Sequence, residues 1–332
     1  MIDEAAIAAL HASHPRVACV GTYIVDVLGR PVSELPRGQQ GSILDEIRIT
    51  PAGTSGGTIV DLARLGAVAT AIGAIGRDLA GDFLIRALEA EDIDTSHLVR
   101  KDGVQTSATM LPIHPDGSRP AWHVPGANST FTLDDVAWDV IEQCDVVHVG
   151  GLTALPGIDG APAGEILRRA REHGALTTAD FLGVRGDGVE AQLAHSLPHV
   201  DIFMPNDGEA MMVAGDPDVE TAARRLRDLG ARCVIVKCGA DGCLIADDDG
   251  ERRLPAHNAP VVDTTGCGDA FCAGVIVARC AGWEIDDAAR LACATGALNM
   301  RGLGSDAGAR DVDEAITFLH ETPYREIPQV AG

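Results

Sequence analysis

Aromatic side chains make up only 3% of the 332 residues, so any core must be built from Ala, Val, Leu and Ile, for which the 46% hydrophobic content is ample. No apolar run approaches the length of a membrane span, which argues against a bilayer-spanning role. Positive charge is short. The 26 Lys and Arg stand against 49 Asp and Glu, and a net charge of −23 repels a nucleic-acid backbone or an anionic membrane. The nine cysteines include no Cys-x-x-Cys pair, so the evenly spaced Cys233, Cys238 and Cys243 read as small buried hydrophobes rather than zinc ligands. Met1 to Leu10 is acidic and too short in apolar run for a secretory leader. A cytoplasmic protein with reduced thiols is expected. Two nucleotide signatures are also missing. No Gly-x-x-x-x-Gly-Lys-Ser/Thr occurs, and the first strand runs into Gly21-Thr22-Tyr23 instead of Gly-x-Gly-x-x-Gly.

Short apolar strands alternate with amphipathic helical segments. Strands are predicted at Arg16–Val20, Ala67–Ile72, Asp145–Val149, Leu176–Ala179, Asp201–Met204 and Cys233–Lys237, with helices such as Thr58–Leu65, Gly81–Glu91, Ala163–His173 and Val219–Leu229. Such alternation implies an α/β fold whose largely parallel sheet is covered by helices on both faces. Nothing in the composition splits the chain, so residues 1–332 are expected to form one domain. Two segments, about 22–52 and 105–125, break the pattern. The first ends in the alternating Glu46-Ile47-Arg48-Ile49-Thr50, and the second reads as a hairpin turning at Pro115-Asp116-Gly117. Together they suit a small β-sheet lid covering a substrate cleft, a partner subunit or both, with Ile47, Ile49 and Met110 as its apolar positions.

The richest stretch is Asp263-Thr264-Thr265-Gly266-Cys267-Gly268-Asp269, between a β-rich segment and a long helical run. The small residues Gly266, Cys267 and Gly268 let the backbone approach a ligand, and a helix start offers free N–H donors and partial positive charge to an anion. A carboxylate there, Asp269, is not needed to hold the anion and suits a base taking a proton from a neighbouring nucleophile. An anion cradle beside a base describes phosphoryl transfer to a hydroxyl. The same letters also suit a capped turn. Upstream, Asn206-Asp207-Gly208-Glu209 follows a strand, where ligands gather in parallel sheets. Asn206 and Glu209 fit either a phosphate-bound Mg²⁺ or a helix capping box. Lys237-Cys238-Gly239-Ala240-Asp241-Gly242 suits a phosphate-reaching lysine with a close-approach backbone, or a tight hairpin.

The ordered set Gly21…Asp26, Gly53-Thr54-Ser55-Gly56-Gly57 before Ala63-Arg64-Leu65-Gly66-Ala67, Asn206-x-x-Glu209, Lys237-x-Gly239-x-x-Gly242 and Asp263–Asp269 resembles the ribokinase-like (PfkB) carbohydrate kinase family. The resemblance runs from about residue 16 to 320. It implies a three-layer αβα doubly wound domain with a β-sheet lid, using ATP and Mg²⁺ to phosphorylate a sugar-like hydroxyl. It implies Asp269 as catalytic base, Gly266, Cys267 and Gly268 as anion hole, and Asp26, Gly53 and Gly57 as acceptor-site positions; Asn128, after the hairpin, fits either a further polar contact to the acceptor or a turn residue. Asn206, Lys237, Gly239 and Gly242 fall on the nucleotide side, with Asn206 and Glu209 serving Mg²⁺. Asp263, Thr265, Asn299 and Gly304 match a monovalent cation site of the kind that holds K⁺. The chain departs from the family pattern at Ala52-Gly53, where Gly-Gly is usual. It departs again at Gly57, where Asn is usual, and at Gly150-Gly151-Leu152, where true ribokinases carry a glutamate. These departures argue against ribose itself.

The expected partner is a small sugar-like molecule, with a homodimer through the lid. A nucleoside acceptor would want aromatic stacking, for which Tyr23 and Trp122 are the candidates. A phosphorylated acceptor would want a cation from Arg30, Arg37, Arg48 or Arg119. A non-catalytic sensor on the same scaffold would not need Asp269.

Overall fold

A computed structural model describes residues 2–115, 118–183 and 188–326. Thirteen strands among these form two sheets. The large sheet contains β1 (Arg16–Gly21), β4 (Val68–Gly76), β5 (Asp94–Lys101), β8 (Val146–Leu152), β9 (Leu176–Phe181), β10 (Ile202–Phe203), β11 (Cys233–Lys237), β12 (Cys243–Asp247) and β13 (Gly250–Leu254). Its order is β13-β12-β11-β10-β9-β8-β1-β4-β5. The strands from β11 to β5 run parallel, while β12 and β13 pair antiparallel at one edge. The chain starts mid-sheet at β1, builds outward through β4 and β5, then returns to β8 on the other flank. That reversal beside β1 opens a crevice at the carboxyl ends of the strands.

Continuous apolar runs fit a sheet buried on both faces, and every residue of β8 is buried. Leu193, Leu226 and Ile166 from helices on one side pack against one face, and Ile59, Ile276 and Leu291 from helices on the other side against the opposite face. The result is the expected three-layer, doubly wound αβα architecture, and Cys233, Cys238 and Cys243 are buried within it. No helix among the described residues is long and apolar enough to cross a membrane.

The small sheet contains β2 (Ile24–Arg30), β3 (Glu46–Ala52), β6 (Ala108–Pro112) and β7 (Trp122–Val124), in the order β3-β2-β6-β7. Asp116 and Gly117 of the expected hairpin turn lie outside the described residues, but its arms pair as foreseen, Thr109 opposite His123. Ile47, Ile49, Met110 and Trp122 remain 68%, 53%, 58% and 47% exposed, while the alternate positions Asp26, Thr50 and Thr109 are buried. Because neighbouring side chains in a strand point to opposite faces, the polar face turns inward and the apolar face outward.

Two helix starts also differ from the sequence reading. The helix expected from Thr58 begins at Thr54, and the one expected from Ala270 begins at Cys267. In the first, glycines read as loop letters form the first turn; in the second, Cys267 and Gly268 belong to the helix start that the turn motif implied. These two helices pack closely on each other, and small residues let them approach.

Candidate active site

Helix Cys267–Cys280 starts at the crevice. Gly266 precedes it with φ +79°, and a Cβ there would stand 2.4 Å from the Ser305 Cα, so only glycine fits. No side chain caps this helix, and apart from a 3.4 Å bond from the Cys267 N–H to the Thr264 carbonyl its first-turn N–H donors are open to a ligand. The preceding turn is held from below. Asp263 accepts bonds from the Thr265 N–H and hydroxyl at 3.0 and 2.8 Å, and from the Gly304 N–H at 2.9 Å. Asn299 donates to the Thr265 carbonyl, while its own side-chain oxygen is buried without a partner. The four residues matched to a cation site therefore meet in space, with one orphaned acceptor among them.

Asp269, in the first helical turn, is half-buried. Burial pushes its carboxyl well above the usual range. Asp180 pushes further in the same direction and Lys237 opposes it. A Cβ at Gly57 would come within 2.3 Å of Asp269 Oδ2. The missing side chain at position 57 thus makes room for the carboxylate, a role beyond the lost amide contact. Burial pushes the Cys267 thiol up to about 12, which suits a small spacer and not a nucleophile.

Lys237 ends β11 and its Nζ lies 3.2 Å from where a Gly268 Cβ would be. It forms a buried ion pair with Asp180 at 2.8 Å. Burial works against the ammonium, but Asp180, helped by Glu209, outweighs it and holds the proton on. Asn206 and Glu209 form a reciprocal capping box, with both bonds at 2.8 Å. Burial, then repulsion from Asp180, pushes Glu209 up to about 7. The cap and a position at the crevice coexist in these two residues. Gly239 and Gly242 lie in the connection that turns β11 into β12, the hairpin reading of that motif.

Asp26, one of the positions matched to an acceptor site, lies on the small sheet. Asp26 sits on β2 opposite Thr50 and Thr109. Burial pushes its carboxyl up to about 6, against a hydrogen bond from Thr109 and the charge of Arg119. Arg119 reaches the anion turn, donating to the Thr264 hydroxyl at 3.3 Å and standing 4.0 Å from Asp263. Arg30 and Arg48 do not, being paired with Glu46 and Asp306 respectively. Gly53 opens helix Thr54–Arg64 beside Thr22. Asn128 is a correction. Its amide is buried and bonded to both the N–H and the carbonyl of Tyr23, so it pins the β1–β2 connection. Tyr23 is buried with its hydroxyl on the Cys19 carbonyl, and Trp122 lies in the outward-facing row, so neither offers a stacking face at the site.

Sequence reasoning missed Asp180. The signal available was an acidic residue at the carboxyl end of a buried parallel strand, directly after Leu176–Ala179.

Residues 14–311 match the model of the pfkB family carbohydrate kinases. The chain belongs to that family. It is accordingly a phosphotransferase with an alcohol group as acceptor. The kinase is 30% identical over 253 residues to a protein of Archaeoglobus fulgidus named as an uncharacterized sugar kinase, covering 76% of this chain and 99% of that one. It is 31% identical over 284 residues to the aminoimidazole riboside kinase of Salmonella typhimurium, covering 81% and 88%. Among solved structures, the kinase superposes with a TM-score of 0.78 on Arabidopsis thaliana ribokinase complexed with ribose and ATP, at 20% identity, covering 93% of this chain and 99% of that one.

Proposed function

We propose that this kinase transfers the γ-phosphoryl group of ATP to a hydroxyl of a sugar or sugar-like molecule, with Asp269 as general base. The observation that carries the reading is a half-buried carboxylate in the first turn of a helix with no side-chain cap, beside a paired lysine. Burial makes Asp269 a stronger base than a solvated carboxylate, suited to an alcohol proton near neutral pH. As the acceptor oxygen forms its bond to the γ-phosphorus, Asp269 takes that oxygen's proton. The first-turn N–H groups and the Lys237 ammonium face the charge that shifts onto the transferring group. Asp26 and its strand neighbours hold the acceptor hydroxyls, and the small sheet excludes water.

Hard oxygen donors suit Mg²⁺, and Glu209 beside Asp180 leaves the crevice richer in carboxylate than Lys237 alone balances. A bound Mg²⁺ would neutralise phosphate charge there, with Asn206 and Glu209 as its direct or water-mediated holders. The orphaned Asn299 oxygen and the Asp263 carboxylate suit a monovalent cation such as K⁺ beneath the anion turn. The whole chain is read as one kinase domain, with segments 22–52 and 105–125 as its lid. The exposed apolar row of that lid is proposed as a homodimer contact, and a cytoplasmic setting fits the free cysteines.

A riboside acceptor is the second reading, favoured by the 31% identity to the Salmonella enzyme. That neither Tyr23 nor Trp122 offers a stacking face at the site weighs against it. A coupled assay of ADP release across pentoses, hexoses, ribosides and their phosphates tests both. Turnover on a free sugar supports the first reading, and exclusive turnover on ribosides the second. Ligand-induced thermal stabilisation without ADP release across the panel overturns both.

A further inference from the structure

The Asp180–Lys237 pair is poorly explained by stability. A buried ion pair loses its hydration, and well-packed apolar residues usually serve a core as well. Its location is more informative. Asp180 is next to last in β9 and Lys237 ends β11, so both lie at the crevice, and the Lys237 Nζ sits beside Gly268 at the start of the uncapped helix.

The bonding is also directional. One Asp180 oxygen accepts from the Phe181 N–H at 2.7 Å, and the other accepts from Lys237 at 2.8 Å. The carboxylate is thereby fixed on both sides, with 2% of its side chain exposed. An ammonium carries three donors. One Lys237 donor is taken by Asp180, and a long contact of 3.8 Å runs to the Cys272 sulfur. Among the described residues no third acceptor is present. A donor therefore remains free beside the anion cradle.

We propose that Asp180 is a positioning residue: it fixes Lys237 so that the free N–H meets an oxygen of the transferring phosphoryl group. The proposal rests on the phosphoryl-transfer reading of the site. Asp180 and Lys237 also bracket the base electrostatically. Asp269 faces Asp180 from β9, Lys237 from β11, Asp61 from helix Thr54–Arg64 and Asp26 from β2. Cys267 and Cys272 lie near it on its own helix. Glu209 acts on the same lysine.

The test compares Asp180→Asn, Lys237→Met, the double variant and Asp269→Asn, each by melting temperature, kcat, KM for ATP and the acidic limb of kcat/KM. Either single change strands a buried charge or removes the donor, and kcat falls on the order of 10²-fold. Asp180→Asn also lowers the melting temperature, which the double variant restores because no charge is left unpaired. In the double variant kcat stays low. The acidic limb moves down in Asp180→Asn, where a repelling charge is gone, and up in Lys237→Met, where an attracting one is gone. Recovery of kcat together with the melting temperature in the double variant overturns the proposal, because the pair would then be merely structural. An unchanged kcat and limb in Asp180→Asn overturns it too. Normal turnover of Asp269→Asn instead overturns the base assignment, and the Asp180 role is then decided by kcat of the double variant alone.

Discussion

The two sheets solve opposite problems. The large sheet is buried on both faces and holds its charged site groups near strand ends, Asp180 next to last in β9 and Lys237 closing β11. The small sheet has one buried face, and it points its polar side chains, Asp26, Thr50 and Thr109, toward the site while Ile47, Ile49, Met110 and Trp122 stay outside. The first arrangement fixes charges in a low-dielectric crevice, where they act strongly. The second presents hydrogen-bonding groups on one side and an apolar surface on the other. Groups held by the large sheet should therefore govern kcat, and groups held by the small sheet should govern acceptor affinity or assembly. Arg119, at the anion turn, and Arg48 tie the lid to the site, Arg48 donating to the Leu303 carbonyl and pairing with Asp306 in the loop whose Gly304 supports Asp263.

The sharpest way to break the contrast is Asp269→Asn. It should bind ATP, measured by calorimetry, yet lose on the order of 10²–10⁴ in kcat, the usual span for a general base. Near-normal turnover would place the chemistry elsewhere. A smaller loss is expected from Gly57→Ala. The added methyl displaces the Asp269 carboxylate, and kcat should drop on the order of 10-fold with little change in acceptor KM, since misplacing a reacting group costs rate. A wild-type kcat in that variant would mean that the carboxylate moves aside freely.

On the small sheet, Asp26→Asn should raise acceptor KM on the order of 10–100-fold, as expected for hydrogen bonds lost from a charged group, with kcat less affected. The sign of the pH dependence follows from the raised carboxyl. Asp26 ionises only above about pH 6, so acceptor KM should worsen as pH falls through that value. Asp26→Asn should abolish this dependence, and a persistent KM inflection near 6 would assign it to another group. The smallest kinetic effect belongs to the outward face. Met110→Asp should convert a dimer to a monomer in sedimentation while leaving kcat nearly intact. An oligomeric state unchanged by this substitution would remove the outward face from assembly.

How much of this was legible in the sequence depends on how local each signal is. Asp263–Asp269 could be read because a helix start, small residues and a carboxylate form a contiguous anion site. Strands such as Cys233–Lys237 were legible because a fully buried strand is a continuous apolar run. The Asn206–Glu209 and Gly239–Gly242 motifs were found, but their cap and hairpin roles were equally local readings that spacing could not separate from binding. Asn128 was misread because a polar residue in a turn looks alike whether its amide faces a ligand or the Tyr23 backbone. Strand β5 and the first turn at Thr54 went unpredicted, because an edge strand carries polar residues and glycines read as loop.

The chain's letters alone established the alternating α/β order, the acidic balance and the small-residue turn ending in a carboxylate, since each depends on neighbours within a few residues or on summed composition. Which face of the small sheet looks inward, that Gly57 clears space for Asp269, and that Asp180 meets Lys237 were decided by the folded molecule. Those contacts join positions 57 and 269, or 180 and 237. Such partners are chosen by sheet order and helix packing, which no short stretch of sequence carries.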